Sequence, residues 1–482
     1  MVGPDYRTPV AVSPADWFQL GAGGEVARAD PAGDLSRWWQ TLNDPLLSAL
    51  VEQALRSSPD MRFAQARLRE SRARRTIAAA GLYPELNASV DARRSKSSEE
   101  TGGGTARNSF SAGFDASWEA DVFGGTRRGI EAADADLQAS EASLHGTAVT
   151  LAAEVALNYI ELRAYQARLG IARGNLASQA ETLQLTNWRA QAGLVSSQDV
   201  EQARANYEQT RAQLPSLQRS YAEAAHRLAI LLGEAPGSLH ARMAAEADLP
   251  GMPASVAVGI PADTLRQRPD VRAAERRLAA ETARVGAAEA ARYPGFRLSG
   301  SIGLEALTFG ALGSGGAGAY SLLAGISGPL FNAGRLRAQA EIQDAVREQA
   351  LISYEQAVLA ALGDVENALV ALARSREREQ ALAIAAESAR SAALLARNQY
   401  SAGLIDFQSV LDTERSVLSI EDSLASTRAD GISALIRLYK SLGGGWSPSE
   451  NETLRGGWSP SENETRHAGG SPTPPSTGKD AT

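Results

Sequence analysis

From Arg127 to Ala192 the chain carries no proline, and Gly146, Gly170 and Gly174 are scattered rather than clustered. Leu151, Val155, Tyr159, Leu162, Tyr165, Leu169, Ala172, Leu176, Ala180 and Leu183 follow one another by steps of three and four. That spacing is helical and close to the period of a packed seam. The intervening positions hold Ala, Gln, Glu and Arg, which are good helix formers. Roughly 60 such residues make a rod on the order of 90 Å long, more than an ordinary globular domain needs. A chain with this rod has something long to span.

A second rod follows the same plan from Arg335 to Ala402, with Gly363 inside it and Leu351, Tyr354, Val358, Leu362, Val365 and Leu369 at helical spacing. The likeness extends beyond the rods. Pro59-Asp60-Met61-Arg62 recurs as Pro269-Asp270-Val271-Arg272, 210 positions on. Tyr83-Pro84, Ala192-Gly193-Leu194-Val195 and Leu232-Gly233 recur at the same offset as Tyr293-Pro294, Ala402-Gly403-Leu404-Ile405 and Leu442-Gly443. Phe123 and Arg127 match Phe331 and Arg335 at 208, which places a short insertion and a deletion around them. The pattern is an internal duplication with a very large unit.

Between the short helical stretches and the rods, the period changes to two. Leu86, Ala88, Val90 and Ala92 alternate with polar residues; so do Phe110, Ala112, Phe114, Ala116 and Trp118 after a polar stretch. The second half repeats this with Phe296, Leu298, Gly300, Ile302 and Leu304, then Tyr320, Leu322, Ala324 and Ile326. Each is a hairpin with one apolar face, and strands of about ten residues cross a bilayer when tilted. Four strands cannot close a barrel, since the smallest have about eight. Either they pack on a soluble core or several chains pool them, and the rods beside them favour pooling.

The organisation read from these signals is an arm at 1–43, a first repeat at 44–232 with its hairpin at 84–119, and a connector at 233–260. A second repeat follows at 261–443 with its hairpin at 295–329, and a low-complexity tail at 444–482. The first short helix runs from Asp44 to about Ala80, with a break or kink expected near Ser58-Pro59. Trp446 to Thr453 is repeated as Trp458 to Thr465 in the tail, whose composition reads as disordered.

Composition narrows the function. A net charge of −8 argues against a nucleic-acid partner. With no cysteine, structural disulfides and thiolate metal sites are excluded in this chain. No uninterrupted run of 18 apolar residues is present, so no membrane-spanning helix is expected. The four histidines lack ligand spacing. Gly313 to Gly318 satisfies G-x-G-x-x-G but reads as a hairpin loop, because a strand rather than a helix is expected after it. No nucleophile motif or acid/base pair emerges, so the chain reads as no enzyme, without cofactor or metal.

The duplicated unit resembles the TolC-like outer-membrane factors, in the lipoprotein branch that serves multidrug efflux. The resemblance rests on Val2-Gly3-Pro4-Asp5-Tyr6, Trp38-Trp39, Arg268-Pro269-Asp270-Val271-Arg272 and the hairpins after Tyr83-Pro84 and Tyr293-Pro294. Phe331-Asn332-Ala333-Gly334 and Leu442-Gly443-Gly444-Gly445-Trp446 add to it, and it covers about residues 1–446. It implies an α+β membrane protein: a homotrimer whose twelve strands close an outer-membrane β-barrel, continued by a long periplasmic α-helical barrel. It also implies a passive exit duct for drugs and other small toxic molecules, working with a periplasmic adaptor and an inner-membrane pump of the resistance-nodulation-division (RND) type. An N-terminal lipid anchor is expected on a cysteine absent from this chain. A duct for type I protein secretion and a soluble coiled-coil scaffold remain as alternatives.

The resemblance also implies a periplasmic gate between Tyr400 and Arg415. Asp412 matches a family gate aspartate, and Ser409 stands where the family often has another, leaving Asp406 or Asp199 to supply a second carboxylate. Arg415, three residues on from Asp412, is a candidate partner for it. Gly193, Leu194 and Val195 with Gly403, Leu404 and Ile405 are expected to form exposed apolar tips that meet the adaptor. Phe110, Phe114, Trp118, Phe296 and Tyr320 are expected to face outer-membrane lipid.

Overall fold

The computed structural model describes residues 1–9, 14–19, 27–28, 34–253 and 255–446, so the tail from 447 onward lies outside the described residues. In chain order the elements of the first half are β1 (Ala27–Arg28), α1 (Pro45–Ser57), α2 (Pro59–Ala80), β2 (Glu85–Lys96), α3 (Glu99–Gly102), β3 (Ala106–Ala120), α4 (Gly125–Gln191) and α5 (Ser197–Leu231). Then come α6 (His240–Met243), β4 (Val256–Ala257), α7 (Pro261–Gln267), α8 (Pro269–Ala290), β5 (Gly295–Ala306), β6 (Gly318–Ser327), α9 (Arg335–Ser401) and α10 (Phe407–Ser441).

Local chemistry sets the boundaries. Asp44 caps α1 by accepting from the amides of Leu46 and Leu47 at 2.9 and 3.0 Å, with Pro45 at the first helical position. The chain breaks at Ser58 (ψ 138°), because the residue before Pro59 is pushed out of the helical region. The rods α4 and α9 are each 67 residues, about 100 Å at 1.5 Å per residue. The return helices α5 and α10 are each 35 residues, and α2 and α8 each 22. One local difference separates the return helices: α5 contains Pro215 where α10 has Ala425.

All of these helix pairs start 210 positions apart. Gly124 and Gly334, each at φ 84°, occupy the residue before α4 and α9. The match of Phe123 and Arg127 to Phe331 and Arg335 at 208 is therefore a slip of two. The length differences fall within the hairpins, where β3 has 15 residues and β6 has 10, and in the loops beside them.

The hairpins form one antiparallel sheet in the order β2-β3-β5-β6. Its register sets Ala88 opposite Phe114, Phe114 opposite Ile302 and Ile302 opposite Tyr320. The alternating apolar residues of all four strands thus share one face, because directly opposed residues point the same way. Asn87, Asp115, Ser301 and Ser321 line the other. Among the described residues no soluble core covers the apolar face: Val90, Phe114, Ile302, Tyr320, Leu322 and Ile326 are all exposed. Aromatic rings cluster toward both of its ends. Phe123 stacks on Tyr293 at 4.6 Å and lies near Phe296, while Phe110 meets Phe309 edge-on at 6.0 Å. Trp118 donates from its indole to Leu82 O at 2.9 Å, tying the sheet to the end of α2.

The helices repeat the order of the strands, α2 beside α4, α4 beside α8 and α8 beside α9. The main apolar core lies midway along the rods, where Leu47 and Leu50 of α1, Tyr159 and Leu162 of α4, Leu228 of α5 and Leu435 of α10 converge. Trp38 stacks on Tyr439 there at 5.3 Å, anchoring the N-terminal arm. One observation qualifies the expectation of no membrane-spanning helix without overturning it. Helix α9 contains an 18-residue window of mean hydropathy 1.3, enough to span a bilayer by length and composition. A count of uninterrupted apolar runs misses it because the average tolerates isolated charges; the window is 39% buried, and α9 packs against α8 and α10.

Gly113 and Gly303 face each other across β3 and β5. A Cβ on Gly303 would lie 2.6 Å from Ala112 O and 2.8 Å from Gly113 Cα, which the backbones cannot accommodate without parting. Gly303→Val is expected to destabilise the sheet by about 1–3 kcal/mol, as overpacking does, read as a lower thermal midpoint of the β signal in detergent. Gly310→Val, with nothing within 4 Å, is the matched control.

Candidate functional site: the helical tips

Each rod ends in the same glycine turn. Gly193 (φ 73°) and Gly403 (φ 78°) adopt the left-handed conformation, and the next amide bonds back to the helix, Leu194 N to Arg189 O and Leu404 N to Gln399 O, both 2.9 Å. Leu194 and Leu404 are 67% and 74% exposed. Val195 and Ile405 are not: they turn inward onto a small core of Ala203, Tyr400, Phe407, Val410 and Leu411. The expectation of fully exposed tips is corrected for these two, since the return helix folds back over them.

The return helices begin with the same Ser/Asp pair in exchanged positions, as a reciprocal capping box on α5 and a one-way cap on α10. Ser196 caps α5 and exchanges bonds with Asp199: the Ser196 amide donates to Asp199 Oδ2 at 3.0 Å, and the Asp199 amide to Ser196 Oγ at 3.3 Å. At the equivalent positions Asp406 caps α10, accepting from the Ser409 amide at 3.0 Å and hydroxyl at 2.6 Å. The Ser409 hydroxyl, then its amide, hold the Asp406 carboxyl below the usual range. The cap is therefore strongest above the ordinary aspartate pKa and is lost as pH falls through the lowered value. Three of the expected gate residues, Asp199, Asp406 and Ser409, thus have a capping task.

Asp412 stands apart on an exposed face and accepts from Gln408 Nε2 at 2.9 Å. Arg415 does not pair with it. Its Nε donates to Asn206 Oδ1 on α5 at 3.2 Å, because the side chain lies toward α5 rather than along its own helix. Asn206, Thr210, Gln213 and Arg415 line a cleft of about 460 Å³ between α4, α5 and α10, which Arg168 and Asp422 border with a bidentate ion pair at 2.6 and 3.0 Å.

Other residues join the two hairpins here that were not singled out from sequence. Arg189 of α4 donates to the carbonyl of Tyr400 and lies over its ring at 4.5 Å. Glu414 of α10 is buried and accepts from the Thr182 hydroxyl of α4 at 2.7 Å. Burial pushes its carboxyl up. A signal for it was present: Phe407, Val410, Leu411 and Glu414 form an i, i+3, i+4, i+7 stripe, so the glutamate occupies an apolar position.

The model of the outer membrane efflux protein family matches the chain twice, over residues 50–234 and 260–444. This chain belongs to that family. It is 35% identical over 456 residues to the pyoverdine export outer membrane protein OpmQ of Pseudomonas putida, covering 92% of this chain and 94% of that one. It is 31% identical to the toluene efflux pump outer membrane protein TtgF from another strain of Pseudomonas putida, covering 94% and 95%. The solved structure of the outer-membrane channel OprN superposes with a TM-score of 0.87 at 38% identity, over 93% of this chain and all of that one. The chain is thus an outer-membrane efflux protein with the TolC-type channel fold. This removes the soluble scaffold.

Ser196→Ala is expected to cost about 1 kcal/mol of helix stability through loss of the α5 cap. Hydrogen exchange should show faster amide exchange confined to the start of α5, with α10 unchanged.

Proposed function

We propose that three copies of this chain, each an internal duplication, close into one tube that serves as the exit duct of a tripartite RND-type efflux pump. The observation that carries this reading is that both layers of the chain stop at open edges in the same order. In the sheet the edges are β2, exposed along all twelve residues, and β6. Three copies would supply twelve strands, enough to close a barrel.

In the helical layer the edges are α2 and α9. The exposed seam of α2 runs Arg62, Ala66, Arg69, Ala73; that of α9 runs Glu341, Ala345, Glu348, Ile352, Glu355, Leu359. Both step by fours and threes, the spacing of a coiled-coil interface. One is basic and the other acidic, and none of these five charges has an ion-pair partner among the described residues. The α2 seam of one copy is suited to the α9 seam of the next.

In this reading Phe110, Phe114, Trp118, Phe296 and Tyr320 face lipid, and the polar face of the sheet lines the pore. Val2 donates to Phe123 O at 3.1 Å, at the junction of sheet and rods, where an N-terminal lipid anchor would meet the bilayer. The turns Gly193-Leu194-Val195 and Gly403-Leu404-Ile405 are the tips toward the adaptor, with Leu194 and Leu404 as its apolar contacts. Drugs and other small toxic molecules are the cargo; the names of the pyoverdine and toluene exporters support this over polypeptide secretion.

Asp412, free of capping duty, supplies one carboxylate per copy to the periplasmic constriction, while Asp406 at the start of α10 and Asp199 at the start of α5 serve the helix caps. A threefold ring of carboxylates favours cations.

The detergent-solubilised protein is expected to have the mass of three chains, measured by light scattering corrected for detergent. A stable monomer that keeps its β signal would refute closure by copies. Asp412→Ala is expected to lower cation selectivity in planar bilayers without loss of the trimer, whereas wild-type conductance and selectivity would remove Asp412 from the constriction.

A further inference from the structure

Among the described residues Glu414 is the only acidic side chain that is buried, at 4% exposure. It projects from α10 into the seam between the two hairpins. Its Oε1 accepts from the Thr182 hydroxyl of α4 at 2.7 Å, and its Oε2 has no hydrogen-bond partner. The cation near it is Arg397 of α9, at 3.7 Å, and this guanidinium is shared with Glu181 of α4 at 3.6 Å. The other groups nearby offer it no further charge. Arg415 turns to Asn206 of α5, Asp412 lies on the exposed face with Gln408, and Tyr400 of α9 is engaged with Arg189. One turn before Thr182, on the same face of α4, Gln179 is 3% exposed with neither amide atom partnered.

A carboxylate in this seam is weakly compensated: one neutral hydroxyl and a guanidinium at 3.7 Å that is shared with Glu181 oppose its loss of hydration. The neutral acid suits the seam better. It carries no charge to desolvate, and its proton turns an orphaned acceptor into a donor beside a stretch of α4 that holds an orphaned amide oxygen.

We propose that Glu414 is a proton-operated latch between the two hairpins: neutral, it holds α10 against α4 and α9, and ionised, it favours their parting. The functional consequence, a duct that closes more firmly in acid, rests on the tips being its constriction. The sign follows from the environment. Burial raises the carboxyl's pKa in the closed arrangement, so closure takes up a proton; the latch is fully set below the ordinary glutamate pKa and is released as pH rises through the raised value.

The chain has no cysteine, so spin labels at Gln184→Cys on α4 and Ser416→Cys on α10, both exposed, report the hairpin separation in the detergent-solubilised full-length protein. Between about pH 4 and pH 8, the longer-distance population is expected to grow with pH. In Glu414→Gln it should stay small throughout. Arg397→Gln removes the cation that favours the ionised form and should move the midpoint to higher pH. A pH-independent separation in the wild type, or a Glu414→Gln curve that follows it, overturns the proposal. If Glu414→Gln does not assemble, an unmoved midpoint in Arg397→Gln overturns it equally. Conductance recorded in parallel separates the two readings: separation that responds to pH while conductance does not would leave the latch standing and remove the tips as the constriction.

Discussion

An open sheet edge cannot lie in hydrocarbon. Every backbone amide and carbonyl inside a bilayer needs a partner, and lipid offers none. The β2-β3-β5-β6 sheet has an apolar face without a core and an edge strand without a neighbour, so its chemistry demands more strands than one chain provides. The rest of the architecture follows from that demand. The helices below repeat the strand order, the rods carry the same four-part arrangement away from the sheet, and the unmatched charges of α2 and α9 lie at its two free margins. The N-terminal arm, pinned by Trp38 on Tyr439 and by Val2 on Phe123, fastens the two layers together.

Packing changes character along the rods. Midway, the contact between hairpins is made by Tyr159, Leu162, Leu228 and Leu435, all removed from water, and burial of such side chains contributes roughly 1.5–3 kcal/mol each. Toward the tips the same helices meet through the smaller core around Tyr400, Phe407, Val410 and Leu411 and, beside it, through Gln179, Thr182, Asn206, Arg415 and Glu414, several with hydrogen-bonding capacity left over. An orphaned buried polar group costs about 1–3 kcal/mol. The middle is therefore the firm part of the molecule, and the tips are where separating the hairpins loses least.

The sequence disclosed whatever repeats. Threes and fours gave the rods, twos gave the strands, and the recurrence of Tyr-Pro and Gly-Leu gave their order. The alternation of Phe110 to Trp118 even predicted which residues share a face, because register in a sheet preserves parity. Contacts between segments were less legible. The two-residue slip at Phe331 arose because a phenylalanine and an arginine recur near the helix start while the backbone fixes that start by a left-handed glycine. Arg415 lies three residues from Asp412, yet its partner is on another helix. Asp406 and Asp199 read as free carboxylates only while the serines opposite them were not recognised as capping partners. Charge alone does not single out Glu414, because α10 also carries exposed acidic residues such as Asp412; only the apolar stripe that contains it places it inward.

The return helices look interchangeable in length, yet Pro215 makes them unequal. Proline has no amide hydrogen, so the carbonyl of Arg211 lacks its usual helical donor, and α5 is weakened there. Its counterpart α10, with Ala425, has no such soft point. In an assembly of three chains the wall would be built from six similar hairpins but would bend as two sets of three. An approximate sixfold shape would then have a threefold compliance, with stiff and yielding staves alternating around the axis, so that any widening of its lower end would begin as a triangle rather than as a circle.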